Sequence, residues 1–210
     1  MYLMLGSRPD LAYAVGFLSR SLENPTTEDL ARLKRVFRYI ASTINLGIMY
    51  RQNAVKGVFK SYSDADFGGC TKTGQSTSGV VVIYAGGAIS WLSQRQGTVA
   101  LSSTEAELVA ANEGAKEVVW LSRLLQEITP LKEIPALQVD NAPAIRLSEN
   151  PENHRRTKHI QRRHFFIREL LADKQLSIEK VSSEQQVADV LTKARGAVPA
   201  RLLYSKMGLI

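Results

Sequence analysis

The sequence predicts an α/β fold: a mixed five-stranded sheet flanked by helices and preceded by a small helical segment. Three observations predict it. Over the first fifty residues, apolar side chains recur at helical spacing. From Gly57 the period drops to two and β-branched residues take over, in three successive runs. Beyond residue 102, helix-like and strand-like stretches alternate, the order expected when parallel pairs join an antiparallel set.

Leu11, Val15 and Leu18 share one face of a stretch from Leu11 to Leu22 that opens at Arg8-Pro9-Asp10 and breaks at Asn24-Pro25. Thr26 or Thr27 can cap a second helix, with Glu28 and Asp29 in its first turn. Its apolar stripe is Leu30, Leu33, Phe37 and Ile40; Arg32, Lys34, Arg35 and Arg38 lie off it. Strands are predicted at Val58 to Asp64, Gly79 to Tyr84 and Ala88 to Gln94, with Gly86-Gly87 as a hairpin turn. Ser102 or Ser103 caps a long helix to Ile128. A fourth strand, Ala136 to Asp140, precedes a short helix to about Ser148. A basic helix from about Thr157 to Ala172, a fifth strand from Gln175 to Val181 and a helix from Glu184 to Lys193 complete the order.

With 210 residues and 44% hydrophobic content, the chain can bury a sizeable core. The net charge of +7 and pI near 9.6 favour an anionic partner, nucleic acid first. Cys70 is the single cysteine, which rules out an intramolecular disulfide and a cysteine-based zinc site. That usage suits a reducing, intracellular compartment, cytoplasm or nucleus. No apolar run reaches the ~20 residues of a membrane span, and Met1 to Leu5 is too short for a signal peptide.

Acidic residues stand at the ends of the predicted core elements. Asp64 ends the first strand, Glu107 lies in the first turns of the long helix, Asp140 ends the fourth strand and Asp189 lies in the last helix-like stretch. Carboxylates at buried ends are costly unless cations hold them, and gathering several points to divalent metal. Two residues turn a helix by ~200°, so Glu105 and Glu107 face apart. Glu107 shares its stripe with Ala111, Gly114, Val118, Leu121 and Leu125; Glu105 lies with Asn112, Lys116 and Arg123, three residues after Ser102, where a capping glutamate belongs. Glu107 is therefore the inward acid. Asp64 follows its hydrophobic run directly, while Asp66 runs into Phe67-Gly68-Gly69 and reads as an outer or turn acid.

The segments Ser63-Asp64-Ala65-Asp66, Ala88-Ile89-Ser90-Trp91, Ser102 to Leu108, Val139-Asp140-Asn141, Arg156-Thr157-Lys158-His159-Ile160 and Ala188 to Lys193 resemble, in this order, the ribonuclease H domain of Ty1/copia-type retrotransposon Pol polyproteins. Arg8 to Tyr13 and Leu33 to Tyr39 resemble the stretch just after the polymerase palm. The resemblance implies a ribonuclease H-like sheet with the acids at one end, and hydrolysis of the RNA strand of an RNA–DNA hybrid. It implies Asp64, Glu107, Asp140 and Asp189 as catalytic and metal-binding acids for two Mg²⁺ ions, for which Mn²⁺ could stand in. It divides the chain into a reverse-transcriptase remnant, thumb- or connection-like, at 1–52, a nuclease domain at 53–196 and a C-terminal tail at 197–210. The loop Ser182-Ser183-Glu184-Gln185 lacks the histidine that many cellular ribonucleases H carry before the last aspartate. No adjacent Asp-Asp pair exists, so the polymerase's paired aspartates are absent and a fragment or truncated copy is expected.

All three histidines, His154, His159 and His164, fall in one basic stretch. His164 aligns with Ile160, Ile167 and Leu171 and reads as a core residue. Arg155, Arg156, Lys158, Arg162 and Arg163 are candidate phosphate contacts, giving sequence-independent, salt-dependent affinity. Ser76, in Ser76-Thr77-Ser78, is a candidate contact to the 2′-OH of RNA. Two other readings remain: a binder that has lost turnover, and a DNA-cutting nuclease of the same broad fold.

Overall fold

The computed structural model describes residues 1–51, 59–129, 131, 133–149 and 161–210, with the backbone alone for 161–165. Strands β1 (Lys60–Ala65), β2 (Thr77–Tyr84), β3 (Gly87–Arg95), β4 (Ala136–Val139) and β5 (Ser177–Lys180) form one sheet in the order β3-β2-β1-β4-β5. The first three are antiparallel neighbours; β4 runs parallel to β1, and β5 parallel to β4. This is the mixed five-stranded sheet that the sequence predicts. Val58 and the predicted boundary between residues 52 and 53 lie outside the described residues.

Both faces are covered, which is why β2 reads as the unbroken run Val80-Val81-Val82-Ile83 rather than alternating. Against one face lie α4 (Ser103–Gln126), α5 (Ala142–Glu149) and α6 (Gln161–Ala172), packing Ala111, Ala115, Val118, Leu121, Ile167 and Leu170 on Val82, Leu137 and Val139. Against the other face lie Val187, Ala188, Val190 and Leu191 with Ala12, Ala200, Leu203 and Met207, packed on Val81 and Ile83. The predicted stripe of α4 is the buried one, and Ser102 caps the helix by accepting the Glu105 N–H at 3.1 Å.

The N-terminal segment contains α1 (Tyr2–Gly6), a 3-10 turn (Pro9–Leu11), α2 (Ala12–Ser19) and α3 (Thr27–Ser42). Thr26 is the N-cap of α3, closed reciprocally by Asp29. The predicted apolar stripe of α3 faces outward: Leu30 is 52% and Phe37 63% exposed. The helix docks instead through Asp29, Arg32, Val36 and Tyr39, with the Arg32 guanidinium 5.3 Å from the Phe17 ring centroid. The segment is tied to the sheet: the Trp91 indole N–H donates to Met4 O at 2.7 Å, and Arg20 donates to Thr77 Oγ1 at 3.0 Å.

Residues 197–210, expected as a tail, contain α7 (Ala197–Lys206), which buries Ala200 and Leu203. The chain then bridges back, Leu209 pairing with Ile48 and the Met49 N–H donating to Gly208 O at 2.8 Å. Gly208 has φ +80, and a Cβ there would stand 2.6 Å from Gly86 O, so no larger residue fits.

The predicted helix from Glu184 to Lys193 is, in the structure, only a five-residue 3-10 helix, Val187–Leu191. Two β-branched residues, Val187 and Val190, weaken its helical propensity, and every residue of it is buried. It lies so close to β2 that a Cβ on Gly79 would meet Ala188 O at 2.8 Å. The Gln186 side chain pins its start, accepting from the Ala188 N–H and donating to Ser63 O at 2.9 Å.

Candidate active site

Asp64, Glu107 and Asp140 meet at the end of the sheet. One carboxylate oxygen of each lies within 4.8 Å of the others. Asp64 is supplied by β1, opposite Gly79 in the ladder; Glu107 by the second turn of α4; Asp140 by the residue after β4. Parallel pairing of β1 with β4 brings their C-terminal ends to the same edge. Glu105 is the capping acid, its Oε2 accepting the Leu101 N–H at 2.7 Å.

Asp64 and Glu107 are almost fully buried, and the Glu107 Oε2 has no hydrogen-bond partner. Burial pushes the Glu107 carboxyl up to about 9, with the charges of Asp64 and Asp140 adding to it. Burial likewise raises Asp64 to about 6, opposed by the Thr192 hydroxyl and Lys193. Three crowded acids and an unpartnered buried oxygen form a donor set of carboxylate oxygens, which fits a hard divalent cation.

The remaining sequence-predicted residues fall as follows. Asp189 is buried beside the three, but both its oxygens are engaged, Oδ1 by Lys193 Nζ and Oδ2 by Arg195 Nε. Asp66 is a turn acid: its Oδ1 accepts the Thr77 N–H, and its Oδ2 fills the space that a side chain at Gly69 would need. Ser76 is fully buried with its hydroxyl accepting the Gly68 N–H at 3.0 Å, so the turn uses it and no surface presents it to RNA. Arg155, Arg156 and Lys158 lie outside the described residues, as do the side chains of Arg162, Arg163 and His164.

Sequence reasoning missed four residues around the acids. The Thr192 hydroxyl donates to Asp64 Oδ2. Ser183, from the loop that lacks the histidine, donates to Asp140 Oδ2 at 2.8 Å. Lys193 and Arg195 pair with Asp189. The signal for Lys193 was its four-residue spacing from Asp189; Thr192 and Ser183 carry none.

The raised acids give an expected pH dependence. Their folded pKa values exceed the unfolded ones, so in the ion-free chain their contribution is full below the ordinary carboxylate range. It is lost as pH rises through about 6 for Asp64 and about 9 for Glu107. Melting of the ion-free wild type should therefore fall more steeply from about pH 5 to 9 than that of Glu107→Gln, and Mg²⁺ should remove the difference. Parallel melting profiles without the ion would contradict the burial argument.

A mixed sheet in the order β3-β2-β1-β4-β5, flanked by helices and with carboxylates gathered at one end, is the ribonuclease H-like fold that the resemblance implies. The chain belongs to the retrovirus-related Pol polyproteins of Ty1/copia type. It is 42% identical over 193 residues to the Pol polyprotein of transposon TNT 1-94 from Nicotiana tabacum, covering 92% of this chain and 14% of that protein. It is 38% identical over 205 residues to that of transposon RE2 from Arabidopsis thaliana, covering 97% and 14%. The chain thus spans about one seventh of the length of these relatives. No protein-family model matches it. Among solved structures, a ribonuclease H1 isolated from compost is similar at 15% identity and TM-score 0.49, over 65% of this chain and 93% of that one. No helix among the described residues is long and apolar enough to cross a membrane.

Proposed function

We propose that this chain is the ribonuclease H part of a retrotransposon Pol polyprotein, cutting the RNA strand of RNA–DNA hybrids with two Mg²⁺ ions. One observation carries the reading: the cluster of buried Asp64 and Glu107 with half-buried Asp140, in which Glu107 Oε2 is unpartnered. The donors are oxygens only, which suits Mg²⁺ and Mn²⁺. Bound ions would supply an acidified water and neutralise charge on the phosphodiester. The chain's own residues set the geometry. Thr192 holds the Asp64 carboxylate in one orientation and Ser183 holds Asp140. Asp189 would serve as the fourth acid once Lys193 and Arg195 release its oxygens. Arg155, Arg156, Lys158, Arg162 and Arg163 would hold the hybrid by its phosphates. In this reading residues 53–196 form the nuclease unit, and residues 1–52, from the end of the reverse transcriptase, pack against it.

The test is an incubation of the purified chain with labelled hybrid, duplex RNA and duplex DNA, with Mg²⁺ and with chelator. Cleavage confined to the RNA strand of the hybrid, and lost on chelation, is the expected result. Hybrid that is bound yet stays intact in both Mg²⁺ and Mn²⁺ identifies an idle binder, and cut duplex DNA a different nuclease.

A further inference from the structure

We infer that Lys193 and Arg195 form a cationic latch on Asp189, so that two divalent ions enter the site in a fixed order. This rests on the metal-site reading above. Three acids offer one oxygen each to an ion: Asp64, Glu107 and Asp140. The fourth is closed, because Lys193 Nζ and Arg195 Nε take one carboxylate oxygen each. The partners differ in freedom. Asp189 is fixed within the buried 3-10 helix, its side chain 3% exposed, and its carbonyl accepts the Lys193 N–H. Lys193 and Arg195 lie on the irregular connection to α7, their side chains 44% and 37% exposed. The cations can swing into water; the carboxylate cannot follow.

The charges match as well. Two side-chain cations carry together the charge of one divalent ion, so exchanging latch for ion leaves the net charge around Asp189 unchanged. A first ion at the open triad meets an unpartnered oxygen and displaces nothing. A second ion, to reach Asp189, must break two charge-assisted pairs. The first ion therefore binds more tightly, and the second binds as the latch opens.

The experiment is a Mn²⁺ titration of the folded chain, with free ion followed by electron paramagnetic resonance. Wild type should show one tighter and one weaker ion. Lys193→Gln/Arg195→Gln should tighten the weaker step about tenfold to a hundredfold, the range for hydrogen bonds to a charged group, and tighten the first step by less, because Lys193 also acts on Asp64 and Glu107 without bonding to them. Each single change should give a part of that gain, and Lys193→Arg should keep the wild-type isotherm. Mg²⁺ activation of cleavage should move to lower ion concentration in the double variant and pass from hyperbolic in wild type, where the weaker ion alone limits, toward sigmoidal as the two steps draw together. A second step that is unchanged or weaker in the double variant overturns the latch. Asp64→Asn separates the two ideas. If it leaves the Mn²⁺ isotherm unaltered, the metal-site reading itself is wrong; if it removes ion binding while the double variant changes nothing, only the latch is.

Discussion

Asp64→Asn is expected to abolish Mg²⁺-dependent cleavage of hybrid, by roughly a thousandfold or more. The change removes one charge from the acid that stands between β1 and the 3-10 helix, and leaves shape and volume nearly constant. A bound ion contributes several kcal/mol to charge stabilisation in phosphoryl chemistry, and each 1.4 kcal/mol or so is tenfold in rate. The substitution should not unfold the chain: the residue is buried and raised, so a neutral side chain suits its surroundings. Glu107→Gln should behave alike. Glu105→Gln should keep activity and cost at most ~1 kcal/mol, since Glu105 accepts the Leu101 N–H at the start of the helix, a capping interaction. Initial rates on labelled hybrid, with melting as the control for folding, decide the matter. Near wild-type turnover by Asp64→Asn, or loss of activity in Glu105→Gln alone, would remove the assignment of the site.

Arg8→Met should cost about 3–5 kcal/mol of stability, the largest loss expected from any single change in the N-terminal segment. Arg8 and Asp10 form a buried pair with side chains 6% and 0% exposed. Arg8 Nη2 donates to Asp10 Oδ2 at 2.7 Å and to Thr43 Oγ1 at 2.8 Å, and Nη1 donates to Thr43 O at 3.0 Å. Removing the guanidinium strands a carboxylate away from water and two acceptors at the end of α3. Replacing both partners, Arg8→Met with Asp10→Leu, should recover much of the loss, because no uncompensated charge is left. Urea unfolding followed by tryptophan fluorescence reads both, since Trp91 is bonded to the same segment through Met4 O. A loss below about 1 kcal/mol would show that water reaches the pair.

The sheet was legible because short β-branched runs such as Val80 to Ile83, bounded by glycines, read as strands, and the acids because they stood where such runs stopped. Glu107 was separable from Glu105 by helix phase alone, since α4 is long enough for its stripe to be unambiguous. Three features were not legible, for different reasons. The α3 stripe of Leu30, Leu33 and Phe37 was visible as a pattern, but which face docks depended on Arg32 stacking over Phe17 and Asp29 closing the cap. The 3-10 turn around Asp189 was read as a longer helix because its packing against Gly79, far away in sequence, sets its geometry. The last residues showed no strong periodicity, yet Leu203, Met207 and Leu209 complete a core whose other members lie in β2, β3, the 3-10 helix at Val187–Leu191 and the N-terminal segment. Thr192 and Ser183 are ordinary hydroxyls in sequence; contact with an acid more than forty positions away gives them their place.

The pairing of Ile48 with Leu209 bears on how the molecule is made. Synthesis runs from N- to C-terminus, so α1 to α3 emerge before the sheet, with Met4 still lacking Trp91 and Ile48 lacking Leu209. Central strand β1 waits for β4, more than seventy positions later. The partners that close this fold thus emerge after the elements they cover, and contacts this remote in sequence form slowly. Until then the faces of α2 and β2 that α7 covers stay open to water, and the nascent chain is a client for any chaperone that holds apolar surface.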